Sequence, residues 1–182
     1  AGQRQVAKAQ TALVHGNEAD CANVRYLCDY WPTFESAAVL VPAEGEPVLL
    51  IGPESQEYAR GRSLIPAIEK MIEYRESADP EYPGIAVASY QDVVAKALPG
   101  KTLRKLGLVS YSITPLPVYT SLKAQFPGVE LVKADDTLVS LRTIKTANEI
   151  ACMKKAYDIS EKAIDAILAE IKPGMTELQV TG

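Results

Sequence analysis

The sequence predicts an α/β fold, a mixed β-sheet flanked by helices, followed by a long helix. Three observations carry that prediction. Short apolar runs of strand length alternate with helical stretches of about ten residues. Breakers punctuate them at Pro99-Gly100, Pro127-Gly128 and Pro173-Gly174. From Ala147 to Ile171 a single helical period runs between a capping box and a Pro-Gly stop.

In chain order, residues 3–10 suit a short helix, and Thr11 to Val14 reads as a strand ending at His15-Gly16. Asn17 to Ala22 is polar and turn-like. Asn23 to Tyr30, with Val24, Tyr26 and Leu27, is a second strand candidate that runs into Trp31-Pro32, where proline breaks the ladder. Ala37 to Val41 and Pro47 to Ile51 are continuous apolar runs joined by Ala43-Glu44-Gly45-Glu46, a hairpin signal with both strands buried. Pro53 to Arg62 is helix-like, with Tyr58 and Ala59 facing inward. Ile65 to Tyr74 fits either a helix or a strand, and Ser77 to Gly84 is a loop.

Tyr90 to Leu98 carries Val93, Val94, Ala97 and Leu98 at helical spacing. Leu106 to Tyr111 is a buried strand. Thr114-Pro115 opens a helix to Phe126 with Leu116, Tyr119 and Leu122 inward, and Val129 to Val132 is a further strand. Asp135-Asp136 caps a helical turn over Thr137 to Arg142.

The tail is the most strongly patterned part. Thr146 and Glu149 have capping-box spacing, in which hydroxyl and carboxylate each satisfy a free amide of the first turn. Ile150, Met153, Tyr157, Ile164, Ile167 and Ile171 then fall on one face of a helix about 37 Å long, which Lys172-Pro173-Gly174 ends. Thr176 and Gln179 repeat the box, but the sequence stops before a second helix completes a stable turn. The sequence is therefore expected to be a piece of a longer protein, with one domain over 1–140 and the opening of another over 141–182.

Composition narrows the function classes. A net charge of −4 argues against nucleic-acid partners, and no apolar run reaches the length of a membrane span. Residues 1–5 lack the charged-then-apolar layout of a signal peptide. Three cysteines, Cys21, Cys28 and Cys152, make neither an even disulfide set nor a close metal pair, so free thiols in a reducing cytoplasm are expected. The one histidine, His15, leaves little room for a nucleophile–base triad, and there is neither a glycine-rich phosphate loop nor a Gly-x-Ser-x-Gly elbow. The acidic pairs Glu44 with Glu46 and Glu54 with Glu57 read as solvated turn and helix surface. No catalytic or metal-binding residue is expected.

Two segments carry a family resemblance. Asn23-Val24-Arg25-Tyr26-Leu27-Cys28-Asp29-Tyr30, with the hairpin Ala37 to Ile51, resembles the Asn-hydrophobic-x-Tyr-Leu-Thr-Gly-Phe segment and hairpin of the creatinase/prolidase/aminopeptidase P N-terminal domain. Leu141-Arg142-Thr143-Ile144-Lys145-Thr146, Glu149-Ile150, and Pro173-Gly174-Met175-Thr176-Glu177 are similar to the junction and first helix of that family's pita-bread metallopeptidase domain. Cys28-Asp29 stands where the common pattern has Thr-Gly.

The resemblance implies a ribonuclease H-like N-terminal domain over 1–140, then a linker and the first helix of a truncated pita-bread domain over 141–182. It implies a metal-dependent Xaa-Pro peptidase of aminopeptidase P or prolidase type, whose divalent metal pair (Mn, Co or Zn) activates water from ligands outside this sequence. This part would be non-catalytic and without a cofactor of its own. Its partners would be its own catalytic domain, a second copy in a homodimer, and the peptide substrate. The loop from Trp31 to Glu35 is the implied substrate-access element. In it, Trp31 and Phe34 are suited to pack on a proline ring and Glu35 to meet an amino terminus, with Asn23 and His15 on the same rim. A creatinase-like amidinohydrolase and a non-catalytic pita-bread interaction protein are the alternatives.

Overall fold

Strand β1 (Thr11–Asn17) organises the sheet, because both of its edges are taken. A computed structural model describes residues 9–33, 35–76 and 82–181. The expected helix at residues 3–10, Phe34, and most of the 77–84 loop lie outside the described residues. The chain divides into two compact units, 1–140 and 141–182.

In the first unit six strands run in the order β4-β3-β2-β1-β5-β6. β2 (Ser36–Pro42) lies antiparallel to β1, with Leu13 opposite Leu40. β3 (Val48–Ile51) returns antiparallel to β2, with Ala38 opposite Leu50. This is the expected hairpin. β4 (Ile68–Lys70) adds parallel to β3, and β5 (Lys105–Val109) and β6 (Glu130–Lys133) extend the other side in parallel. The sheet is therefore mixed.

Side chains alternate across it, so adjacent residues of one strand enter different cores. Leu13, Leu40, Leu50, Leu106 and Leu108 pack under helix α3 (Tyr90–Ala97) and helix α4 (Leu116–Gln125) through Val93, Val118 and Leu122. Val14, Val39, Leu49, Ile51 and Val109 pack on the other face. They meet Val24 and Cys28 of helix α1 (Ala22–Cys28), Ala59 of helix α2 (Gln56–Arg62), and Leu138 of helix α5 (Asp135–Thr143). Each fully buried leucine contributes about 1.5–3 kcal/mol.

Four local expectations are corrected. Asn23 to Tyr30 is not a strand: Ala22–Cys28 is helical, with Val24 and Cys28 buried four residues apart on one side and Tyr26 exposed. With β2 and β5 on its two edges, β1 has no ladder left for this segment. A β-carbon at Gly16 would stand 2.8 Å from Val24 Cγ2, so the bare glycine lets α1 lie close against β1. β1 itself runs through His15 and Gly16 to Asn17. Ile65 to Tyr74 resolves into β4 and a 3-10 turn, Ile72–Tyr74. In α4 the buried pair is Val118 and Leu122, while Leu116 and Tyr119 are exposed; in α2 Ala59 faces inward but Tyr58 does not.

The second unit is dominated by helix α6 (Ala147–Glu170). The Thr146 hydroxyl accepts from the Glu149 amide at 3.2 Å, and Glu149 Oε2 accepts from the Thr146 amide at 2.6 Å, completing the predicted box. Gly174 takes φ 93. Thr176 and Gln179 then repeat the reciprocal pair at 2.9 and 3.3 Å ahead of the short helix α7 (Glu177–Thr181). No residue of α6 or α7 is buried.

Candidate functional site

The loop between α1 and β2 is built by a left-handed stop. Asp29 caps α1 with φ 54 and ψ 12, its amide donating to the Arg25 carbonyl. A short acidic side chain tolerates this conformation where most residues do not. The sharp turn survives in this way although aspartate stands where the common pattern has glycine. The Asp29 carboxylate pairs with Arg25 and Arg62, each at 3.7 Å. Arg25 in turn lies 4.9 Å from the ring centroid of Trp31, so a cation–π contact holds an indole that remains 45% exposed.

On either side of Trp31 the neighbours Tyr30 and Pro32 are buried. Tyr30 is fully buried and donates its hydroxyl to Glu35 Oε1 in a short hydrogen bond. Glu35 is 8% exposed, and its second oxygen, Oε2, is sealed from solvent with the Ser55 hydroxyl beside the carboxyl group but outside good hydrogen-bond geometry. Burial pushes the Glu35 carboxyl above its usual range. The neighbouring Ser55 and Tyr30 hydroxyls offset part of that shift, while Glu54 and Glu76 add to it. Burial, the Glu35 hydrogen bond and the Glu35 charge also raise the Tyr30 phenol, so its proton stays in place at neutral pH.

Thr33, Glu35, Glu54, Ser55, Tyr58 and Glu76 line a cavity of about 250 Å³. Glu54 Oε1 accepts from the Tyr82 hydroxyl and, at 3.4 Å, from the Glu76 amide. Tyr30 and Tyr58 rings meet at 5.5 Å between centroids. Gly52 lets the chain pass close by these groups: a β-carbon there would stand 2.4 Å from the Tyr74 carbonyl oxygen, 2.8 Å from Glu35 Oε2 and 2.9 Å from Glu54 Oε2.

The other expected rim residues lie apart from this cavity. Asn23 Nδ2, on α1, donates to Ser110 Oγ at 3.0 Å, beyond the end of β5, where Ser110 adopts φ 63. His15 is buried within β1, its ring 6.0 Å from that of Tyr74, and neither nitrogen has a hydrogen-bond partner among the described residues. Desolvation lowers its pKa to about 4, so it is neutral at physiological pH. The structure thus places Glu35 in the cavity, Trp31 on the surface and His15 in the core.

Sequence reasoning missed Tyr30, Ser55, Tyr58 and Glu76, and took Glu54 for plain helix surface. The available signal was Gly52-Pro53 directly after an apolar strand, since glycine there marks a close backbone approach. Among the described residues no group of three or more His, Cys, Asp or Glu side chains is placed to hold a metal ion, so those residues do not fit a metal pair. No helix among them is long and apolar enough to cross a membrane. Cys21, Cys28 and Cys152 are free thiols.

The fold defines the class first: an α/β domain in which an antiparallel hairpin is joined to a parallel set of strands through β1. The chain belongs to the creatinase/prolidase N-terminal domain family, whose model matches residues 5–144. Among its relatives, the Xaa-Pro dipeptidase of Pyrococcus furiosus is 28% identical over 139 residues, covering 76% of this chain and 36% of that protein. The Xaa-Pro dipeptidase of Pyrococcus horikoshii is 30% identical over the same length and the same shares. The chain therefore spans little more than a third of the length of these curated relatives. The solved prolidase of Pyrococcus horikoshii OT3 aligns with a TM-score of 0.66 at 26% identity, over 98% of this chain and 43% of that one. The X-Pro aminopeptidase of Thermotoga maritima MSB8 shares the fold with a TM-score of 0.66 at 19% identity, over 98% of this chain and 46% of that one.

Proposed function

We propose that this chain is the N-terminal, substrate-access and dimerisation part of an Xaa-Pro peptidase of prolidase or aminopeptidase P type. The observation that carries this reading is the family match over residues 5–144, together with relatives that are Xaa-Pro dipeptidases. In this reading the peptide bond next to proline is cleaved by a metal-dependent catalytic domain, of which residues 141–182 form the opening, and the ligands are supplied by that domain. The chain by itself is non-catalytic. The protein works in the cytoplasm, which accords with its free thiols.

Trp31 is the access residue the geometry favours. Its indole is exposed and held in orientation by Arg25, so it can cover an apolar proline ring with little loss of side-chain entropy. Covering the substrate excludes water and strengthens the electrostatics of the reacting centre.

The test is made on the parent protein that contains this chain. It should hydrolyse an Xaa-Pro dipeptide or the first bond of an Xaa-Pro peptide with manganese or cobalt added, and the 182-residue chain alone should not. Trp31→Ala in the parent should raise KM for proline substrates while leaving the melting of the sheet domain unchanged. Turnover of creatine instead would point to an amidinohydrolase, and a parent inert towards both would make it an interaction protein. Sedimentation of the chain alone reads the dimer directly.

A further inference from the structure

A glycine would satisfy the turn at residue 29, yet an aspartate occupies it. At φ 54 and ψ 12 glycine sits without strain, and the common pattern of the family has glycine there, whereas a side chain is tolerated only at some cost. The carboxylate that the aspartate adds lies between two guanidinium groups from different helices. Oδ1 is 3.7 Å from Arg25 Nε in α1, and Oδ2 is 3.7 Å from Arg62 Nη2 in α2. The backbone fixes the spacing of these elements, because the Leu64 amide, just past α2, donates to the Cys28 carbonyl at 2.8 Å.

Exposed ion pairs of this kind add little to stability taken singly. Here the consequence is orientation. Arg25 meets Asp29 through Nε, at the stem end of the guanidinium, and its Cζ stands 4.9 Å from the centroid of the Trp31 ring. The carboxylate limits where the Arg25 plane lies, and that plane limits the indole. Arg25 is exposed, so without Asp29 its long side chain would spread over many rotamers in solvent. The backbone of Trp31 is already held, between buried Tyr30 and buried Pro32, and the proline restricts it to extended geometry. What is left to set is the pair of side-chain torsions, and the Asp29–Arg25 contact narrows those.

We propose that Asp29 is a positioning residue for Trp31: its carboxylate holds Arg25 and Arg62 and so sets the orientation of the exposed indole that receives a proline ring. The effect on substrate rests on the reading of Trp31 as the access residue. The effect on the indole does not, and the chain itself reports it.

Trp31 is the only tryptophan of the 182-residue chain, so time-resolved fluorescence anisotropy reads this side chain alone. Asp29→Asn and Asp29→Gly each put in a residue that accepts the left-handed turn, and each removes the charge. Both should shift the balance between held and freely rotating indole by about two- to fivefold, the range an exposed cation–π contact supports. The thermal melt should stay nearly unchanged. Arg25→Met should act alike, and adding it to Asp29→Asn should change nothing further, because the two work through one contact. In the parent protein Asp29→Asn should raise KM for an Xaa-Pro dipeptide by about two- to fivefold with kcat unchanged. An unchanged anisotropy decay in folded Asp29→Asn would overturn the proposal. So would a decay altered only in Asp29→Gly, which reports backbone freedom and not charge, or a KM raised by Trp31→Ala but not by Asp29→Asn. A KM unmoved by Trp31→Ala would instead remove the access reading, and with it the effect on substrate, while the anisotropy still decides the effect on the indole.

Discussion

The sheet unit and the tail carry equally regular apolar patterns and make opposite use of them. In the sheet unit Leu13 and Val14, adjacent in β1, fill two separate cores and are both almost inaccessible. In the tail Ile150, Met153, Tyr157, Ile164, Ile167 and Ile171 keep their helical spacing, yet none is buried. One unit is held by burial, the other by local hydrogen bonds at Thr146 and Thr176. Periodicity reports which face of an element is apolar. It does not report what covers that face.

The sharpest way to break the comparison is a cavity in the first unit. Leu50→Ala should cost about 2–5 kcal/mol, read as a lowered urea midpoint for the whole sheet unit. Next comes His15. The unfolded histidine takes its proton near pH 6.5 and the buried one only at about 4, so falling pH protonates the unfolded chain first. Stability should therefore fall between those values, by about 3 kcal/mol in total for this group. Glu35 works in the opposite direction: its raised carboxyl contributes stability below about pH 4.5 that is lost as pH rises through its folded value. His15→Leu should flatten the acid limb of urea melts compared at about pH 7 and about pH 4.5, and an unchanged limb would show that His15 is not its source.

Smaller effects belong to the tail. Thr146→Ala removes the side-chain half of the capping box and should cost about 1 kcal/mol of α6, seen as lost helical circular dichroism with no change in the sheet unit's melt. Ile164→Ser on the exposed stripe should alter stability by less than about 0.5 kcal/mol. A larger loss there would mean that the stripe is covered in solution.

What was legible in the sequence follows the same division. The capping box at Thr146 and the hairpin from Ala37 to Ile51 were readable because each depends on residues close in the chain. Helix α1 was not. Val24 and Tyr26 favour a strand locally, and only the occupied edges of β1 exclude one. Glu35 read as part of an open access loop, yet Tyr30 draws it inside. Glu54 is exposed, as its place in a polar helical stretch suggests, but its approach to Glu35 beside Gly52 is visible only once β3 and the following turn are placed. His15 was expected at the rim. The continuation of β1 through His15 to Asn17 carries it into the core instead.

Amide hydrogen exchange, followed residue by residue on the 182-residue chain, tests the contrast most directly. The account predicts that the amides of β1, β2 and β5 open only with global unfolding, whereas those along α6 exchange orders of magnitude faster, with protection greatest away from its ends. Protection of α6 equal to that of the central strands would contradict it, because a helix held by caps alone cannot share the stability of a buried core.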